Sequence, residues 1–121
     1  KSNMNFIIKF IFIILISNNV LASERYVCRQ NQVNINSLIT NFYVIDNKVI
    51  MSGVLGNGEY KIIEKNNNGL LAVNSSIIGN EFGLETILLD NYNKIFIYKS
   101  LISNNSKNNI MKIKGYCNIF K

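Results

Sequence analysis

Cys28 and Cys117 are the two cysteines of this 121-residue chain, and they stand at opposite ends of a run of β-type segments. A disulfide between them would tie the first strand to the last, and such a bond persists outside the reducing cytoplasm. Because two cysteines allow a single intramolecular pairing, the connectivity is defined. The alternative is a pair of free buried thiols. We predict a small exported domain stapled by Cys28–Cys117.

The N-terminal segment has the parts of a secretory signal: a basic start with Lys9, an apolar stretch over Phe10–Ile16, and small residues before a cut after Ala22. A membrane anchor is the alternative. Even counted over Phe6–Ile16, however, the stretch has 11 residues, whereas a transmembrane helix needs about 20. We predict a signal-peptide helix within residues 1–22, cleaved to leave a periplasmic or secreted protein without a permanent membrane anchor.

Residues 23–121 then form a single β domain. The whole chain has 13 basic and 7 acidic residues and a net charge of +6. Removing Lys1 and Lys9 with the leader leaves 11 basic and 7 acidic residues, or +4. The basic residues alternate with apolar neighbours, which is typical of the solvent faces of strands rather than of a phosphate-binding tract. The sequence predicts no nucleic-acid partner.

Alternating apolar residues, β-branched and aromatic enrichment and regular turn signals predict strands throughout the domain. The second of the nine segments could instead be a helical turn or a loop, which leaves about eight strands. The predicted segments are Tyr26–Gln30, Asn34–Ile39, Asn41–Asp46, Val49–Leu55, Glu59–Lys65, Leu70–Ile78, Leu84–Asp90, Lys94–Ser103 and Ile110–Asn118. The Asn-rich segments Asn66–Gly69 and Asn104–Asn109 are predicted to be loops.

The connections predict how these strands are arranged. Asp46-Asn47-Lys48 and Gly56-Asn57-Gly58 have hairpin length and residues that accept positive φ, so consecutive strands pair antiparallel. The fold class is therefore all-β, an antiparallel up-and-down meander. Closing the last strand onto the first would remove both sheet edges and would bring the cysteines together. We expect a barrel, or else an open and strongly curved sheet.

Alternation also predicts which side chains face inward. On the last strand the shared inward side carries Met111, Ile113, Gly115 and Cys117. On the segment Glu59–Lys65 Tyr60 and Ile62 face inward, opposite the charged residues. On the segment Leu70–Ile78 the more apolar side carries Leu71, Val73 and Ile77. Some segments, such as Ile95-Phe96-Ile97-Tyr98, are apolar on both sides. Two-sided apolarity indicates an outer surface covered by the N-terminal stretch, a partner or a second copy. The alternative is ordinary surface hydrophobicity in an Ile-rich chain.

Catalytic signals are weak. The chain has no histidine, which excludes Ser-His-Asp and Cys-His arrangements and imidazole metal ligands. Asp46 and Asp90 each follow an apolar strand and open an Asn-containing turn. They could act as paired carboxylates for glycoside cleavage, or each could cap its turn by accepting backbone N–H bonds. We favour the caps, and we expect no catalytic residue, no metal and no cofactor.

Aromatic side chains are the remaining candidates for a binding site. Those on inward faces could line a ligand cavity at the mouth of a barrel, although residues this bulky favour a filled interior. The residues proposed as a ligand or partner surface are Tyr60, Phe42, Phe96 and Tyr98.

Several of these segments together are similar to small exported periplasmic β-proteins of unassigned function from AT-rich alphaproteobacteria. The likeness rests on Tyr26-Val27-Cys28, Phe42–Asp46, Leu88-Leu89-Asp90 and Gly115-Tyr116-Cys117. The Tyr-x-Cys motif near the predicted mature N-terminus also resembles that of the C-type lysozyme inhibitor family, whose members are small periplasmic β-barrels. That family's Gly-x-x-Tyr loop is not matched, because Asn57-Gly58-Glu59-Tyr60 has a different spacing. The resemblance implies a periplasmic β-domain and carries over no site residue.

These observations predict a non-enzymatic exported binding module for a small apolar ligand or a periplasmic protein partner. The alternative is a lysozyme or protease inhibitor that would use an exposed loop, Gly56–Glu59 or Gly79–Gly83.

The leader generates a direct test. Intact mass spectrometry of the protein recovered from an exporting host should give the mass of residues 23–121, less two hydrogens for the oxidised cysteine pair. A mass that retains residues 1–22 would contradict cleavage after Ala22.

Overall fold

The structure, a computed structural model, describes residues 24–31, 39–105 and 107–121. Its eight strands form one antiparallel sheet that closes into a barrel in chain order. They are β1 (Glu24–Gln30), β2 (Ile39–Ile45), β3 (Lys48–Gly53), β4 (Gly58–Asn66), β5 (Gly69–Ile78), β6 (Glu81–Asp90), β7 (Ile95–Asn104) and β8 (Lys107–Phe120). The predicted all-β meander is confirmed. The predicted leader lies outside the described residues, as does all of the segment Asn34–Ile39 except Ile39.

The barrel closes where β1 pairs with β8, from Arg25↔Phe120 to Gln30↔Gly115. Cys28 and Cys117 are direct cross-strand partners, 4.0 Å apart at Cα, and are joined by a disulfide. The Cys117 amide donates to the Lys94 carbonyl on the opposite side, at 2.8 Å. The cysteines therefore occupy a non-hydrogen-bonded pair, the position at which antiparallel strands approach most closely.

Alternate residues of every strand point into the barrel and fill it. The rings of Phe42 (β2) and Phe96 (β7) lie 5.5 Å apart between centroids. Between these strands lie β8 and β1, whose inward residues Gly115, Cys117 and Cys28 are small, so the two rings can meet over the seam. The buried apolar side chains are Tyr26, Cys28, Phe42, Val44, Val49, Met51, Tyr60, Leu70, Ala72, Ile87, Leu89, Phe96, Tyr98 and Cys117.

The strands are unequal in length, and this shapes one end of the barrel. Pairing between β4 and β5 ends at Lys61↔Val73, and pairing between β1 and β8 ends at Gln30↔Gly115. The pairs β5–β6, β6–β7 and β7–β8 continue to the hairpin tips, as far as Ile78↔Glu81 and Asn104↔Lys107. A four-stranded sheet thus extends past the closed part of the barrel. We call it the protruding sheet, built from residues 74–78, 81–86, 99–104 and 107–114.

Two predictions about this region are wrong. On β5 the buried residues are Leu70 and Ala72, whereas Leu71 and Ile77 are exposed. Because side chains alternate along β5, the inward positions of Leu70 and Ala72 place Leu71, Val73 and Ile77 on the outer side. Met111 lies on the predicted side of β8, but it is half-exposed because it belongs to the protruding sheet. In addition, β8 starts at Lys107 rather than at Ile110. The Asn-rich segment predicted as a loop forms a tight turn at Asn105 and then continues as strand.

Gly115 supplies a test of the seam. A Cβ built there would lie 1.9 Å from the Arg29 carbonyl oxygen and 2.6 Å from Cε1 of Phe96. At Gly83, by contrast, the nearest atom is the Ser76 hydroxyl oxygen at 3.2 Å. Gly115→Ala should therefore lower the free energy of unfolding by about 3 kcal/mol through overpacking. Gly83→Ala should change it by less than about 1 kcal/mol. Urea unfolding measures both, and equal effects would contradict the close approach of β1 and β8 at Gly115.

Candidate functional site

The four aromatic residues proposed as a ligand or partner surface all lie in the interior. Phe42 and Phe96 are fully buried, so neither ring offers a surface in this structure. Tyr60 and Tyr98 are also buried, but their hydroxyl groups point to the end of the barrel from which the sheet protrudes. There both hydroxyls donate hydrogen bonds to Oε1 of Glu85. The hydroxyl oxygen of Tyr60 lies 3.0 Å from Oε1.

Glu85 reaches this position through the register of β6. It shares the inward side of the strand with Ile87 and Leu89, and it pairs with Asn74 on β5 and Ser100 on β7. From the core toward the protruding end of the barrel, Glu85 is the first polar residue on the inward side of β6. Sequence reasoning did not single out Glu85. The signal was a carboxylate in phase with buried residues of the same strand, Glu85-x-Ile87-x-Leu89.

Burial sets the protonation of the tyrosines. Burial first, and then hydrogen bonding to Glu85 and its charge, raise the pKa of Tyr98 from 10.0 to about 12. The same causes in the same order raise the pKa of Tyr60. Burial, with smaller contributions from Glu24 and Asp90, raises the pKa of Tyr26 to about 12. Tyr60 and Tyr98 therefore remain hydrogen-bond donors to Glu85 throughout the neutral range.

Above Glu85 the inner face of the protruding sheet lines an open cavity of about 420 Å³, which we call the mouth cavity. Polar and apolar groups contribute comparably to its lining, and Gly83 and Ile102 face each other across β6 and β7 in the middle of it. The lining residues are Asn74, Ser76, Glu81, Gly83, Leu84, Glu85, Tyr98, Ser100 and Ile102.

The outer face of the same sheet is apolar. We call the exposed residues Ile77, Phe82, Leu84, Leu101 and Ile110 the outer patch. The register places Leu84, Leu101 and Ile110 side by side, and Ile77 and Phe82 side by side in the adjacent row. The next row toward the closed part of the barrel contains Lys99 and Lys112, which are direct cross-strand partners.

The two aspartates behave as turn residues. Asp90 accepts hydrogen bonds from the Asn93 amide N–H at 2.8 Å and from the Asn93 side chain at 2.9 Å. The backbone bond from Asn93, followed by its side-chain bond, lowers the pKa of Asp90. Asp46 sits at a positive φ of 52° in the β2–β3 turn. The two residues line different cavities. The capping interpretation is confirmed for Asp90, and the structure does not bring the two carboxylates into one cleft.

The two loops proposed for inhibition differ in position. Gly56–Glu59 connects β3 to β4 beside the closed part of the barrel, whereas Gly79–Gly83 includes the tip of the β5–β6 hairpin in the protruding sheet. Gly79 has a positive φ of 59°, as a tight turn requires, and the neighbouring Ile78 is 73% exposed.

The fold and these surfaces define a class: a disulfide-closed, eight-stranded antiparallel barrel with a protruding sheet and a polar cavity at its mouth. No family model, curated protein or solved structure matches the chain. Among the described residues, no group of three or more His, Cys, Asp or Glu side chains could hold a metal ion. The described part of the chain also has no helix long and apolar enough to cross a membrane.

The raised tyrosine pKa values predict an alkaline transition. In the unfolded chain the tyrosines ionise near pH 10, whereas folded Tyr26 and Tyr98 ionise near pH 12. Their contribution to stability is therefore complete below about pH 10 and is lost as pH rises toward 12. Spectrophotometric titration should show a late group of tyrosines, which includes Tyr26 and Tyr98, whose ionisation coincides with unfolding. Glu85→Gln should move part of that late group to lower pH. A single transition near pH 10 for all tyrosines would contradict the buried hydroxyls.

Proposed function

We propose that this protein is a non-enzymatic, exported binding module that engages a protein partner through the outer patch. The observation that carries the proposal is the exposure of large apolar side chains on a regular strand surface: Ile77 is 70% exposed, Ile110 65% and Phe82 50%. Contiguous exposed apolar surface of this kind is typical of interaction sites. Covering such surface is favourable by about 25 cal/mol for each Å² removed from water.

Charge indicates what kind of partner fits. Lys99 and Lys112 face each other across β7 and β8 beside the outer patch. Like charges directly opposite on a sheet are unfavourable, and an acidic group on a partner would relieve that repulsion. The described residues of the outer patch and of this lysine pair include no carboxylate. The partner that fits is therefore a protein with an apolar contact region and an acidic rim.

The packed core bears on the small-ligand alternative. Tyr26, Phe42 and Phe96 occupy the centre of the barrel and are almost completely buried. Side chains therefore take the interior space that a small apolar ligand would need, and an external apolar surface remains. This favours a protein partner over a ligand enclosed in the barrel.

The disulfide supports the exported part of the proposal. The disulfide between Cys28 and Cys117 is compatible with an oxidising compartment. Together with the predicted leader, it supports a periplasmic or secreted module.

One observation favours a second candidate function, that of an enzyme inhibitor. The Gly79–Gly83 hairpin tip extends beyond the barrel on a regular two-stranded support and presents Ile78 and Phe82. A rigid protruding loop above a filled core is the arrangement by which a small domain can enter an enzyme cleft. In that case the partner would be a hydrolase such as a lysozyme or a protease.

Site-specific photocrosslinking in an exporting host tests the proposal. In the test variant a photoreactive phenylalanine replaces Phe82 in the outer patch. In the matched control it replaces Tyr92, an exposed aromatic residue in the β6–β7 turn at the other end of the barrel. We expect a discrete protein adduct from position 82 and none of the same mass from position 92. The double substitution Lys99→Glu/Lys112→Glu should weaken the adduct by roughly tenfold or more, as expected for loss of about 1.4 kcal/mol.

Two outcomes would contradict the proposal. The first is the same set of adducts from both positions, which would indicate random collision. The second is binding of the purified protein to anionic lipid vesicles with the same dependence on Lys99 and Lys112, since the patch would then be a membrane surface.

A further inference from the structure

The mouth cavity lies on the opposite face of the protruding sheet from the outer patch, and Leu84 is the residue of the outer patch that also contributes to its lining. Its depth comes partly from Gly83. Other strand glycines have a structural reason: a Cβ at Gly69 would lie 2.2 Å from the Leu89 carbonyl oxygen, and one at Gly115 would lie 1.9 Å from that of Arg29. A side chain at those positions would collide with backbone.

At Gly83 the contact is with a side chain instead of backbone. Its φ lies outside the positive range, and a built Cβ would lie 3.2 Å from the Ser76 hydroxyl oxygen, a tight contact that rotation of the serine side chain can relieve. Glycine inside a strand lowers stability by about 0.5–1 kcal/mol relative to alanine. Such a glycine often marks a place where a ligand approaches the sheet closely. Here it leaves a floor of bare backbone in the middle of the mouth cavity, next to the Ser76 side chain.

Two carboxylates stand at the ends of this floor. Glu81 and Glu85 are four residues apart on β6 and face the same side, so their Cα atoms are about 13 Å apart along the strand. Both belong to the lining of the mouth cavity, which includes no lysine or arginine. Gly83 lies midway between them, with Ile102 directly opposite on β7.

The hydrogen bonds to these carboxylates come from neutral groups. Oε1 of Glu85 accepts the hydroxyls of Tyr60 and Tyr98, and Oε1 of Glu81 accepts the Asn104 side-chain amide at 3.5 Å. In the described part of the chain the ion pairs are Lys48–Glu59 and Lys65–Glu24, neither of which involves this cavity. Lys107 faces the same side of the sheet on β8, but it pairs with Asn104, which separates it from Glu81. The bonds orient the two formal negative charges without neutralising them.

We infer that the mouth cavity binds a linear aliphatic diamine or polyamine. One ammonium group meets Glu85 above the tyrosine hydroxyls, and a second meets Glu81 near the hairpin tip. The methylene chain between them lies over the bare backbone of Gly83 and against Ile102. The serine and asparagine side chains of the lining accept the remaining ammonium hydrogens. This assigns a cation-binding cavity to a protein whose overall charge is positive, so recognition depends on local geometry rather than on the net field.

Titration of the ¹⁵N-labelled protein followed by NMR tests this inference. The probes are spermidine and 1,5-diaminopentane, with pentylamine as the matched monoamine and sodium chloride added to equal ionic strength. Both diamine-type probes should give saturable shifts centred on the Gly83 and Glu85 amides. They should bind roughly tenfold or more tightly than pentylamine, because the second ammonium adds a second ion pair.

Variants separate the site from general ionic attraction. Glu81→Gln and Glu85→Gln should each reduce diamine affinity to about that of pentylamine, and Gly83→Val should abolish saturable binding by filling the floor. Glu59→Gln is the control, because Glu59 is an exposed carboxylate elsewhere on the barrel. Glu81 is itself exposed, so its substitution should not disturb folding and provides a readout even if Glu85→Gln destabilises the protein.

Three results would overturn the inference. They are equal affinity for mono- and diamines, an equal loss of affinity in Glu59→Gln, and saturable binding of a neutral sugar such as maltose in place of the amines.

Discussion

The structure depends on the close approach of β1 and β8. This seam joins the two ends of the described chain, and the Cys28–Cys117 disulfide spans it at a cross-strand pair 4.0 Å apart at Cα. In the chain-entropy model a crosslink between residues 89 apart stabilises the fold by about 4 kcal/mol, a large share of the stability of a small domain. The small seam residues also leave the space in which Phe42 and Phe96 meet.

Closure constrains only part of each long strand, and the additional length of these strands creates the two candidate surfaces. β1 and β3 have 7 and 6 residues, whereas β5, β6 and β7 have 10 and β8 has 14. The additional residues cannot pair around the barrel, so they form a sheet with two accessible faces. One face carries the apolar outer patch and its lysine pair. The other continues the barrel interior into the polar mouth cavity, where Glu85 marks the boundary between packed core and solvent.

Much of this fold could be predicted from local pattern, because hairpin turns and alternation are short-range signals. The disulfide, the meander and the inward positions of Tyr60, Gly115 and Cys117 all follow from it. Strand ends and exposed faces could not be predicted, since they depend on how many residues of each strand pair around the closed barrel. That is why Leu71 and Ile77 were placed inward, and why Asn108 and Asn109 were taken for a loop. Glu85 was missed for the same reason: alternation shows that it faces inward, but only the register shows which hydroxyls meet it.

The most direct test of closure is a search for Hα–Hα nuclear Overhauser effects across the seam in the oxidised protein. In the observed register Cys28↔Cys117 and Tyr26↔Ile119 are non-hydrogen-bonded pairs, whose Hα atoms lie close together. A closed barrel predicts strong cross-peaks for both pairs. If β1 instead shows contacts to β2 alone, with fast amide exchange along the seam edge of β8, the barrel is open and the proposed packing of its core is wrong.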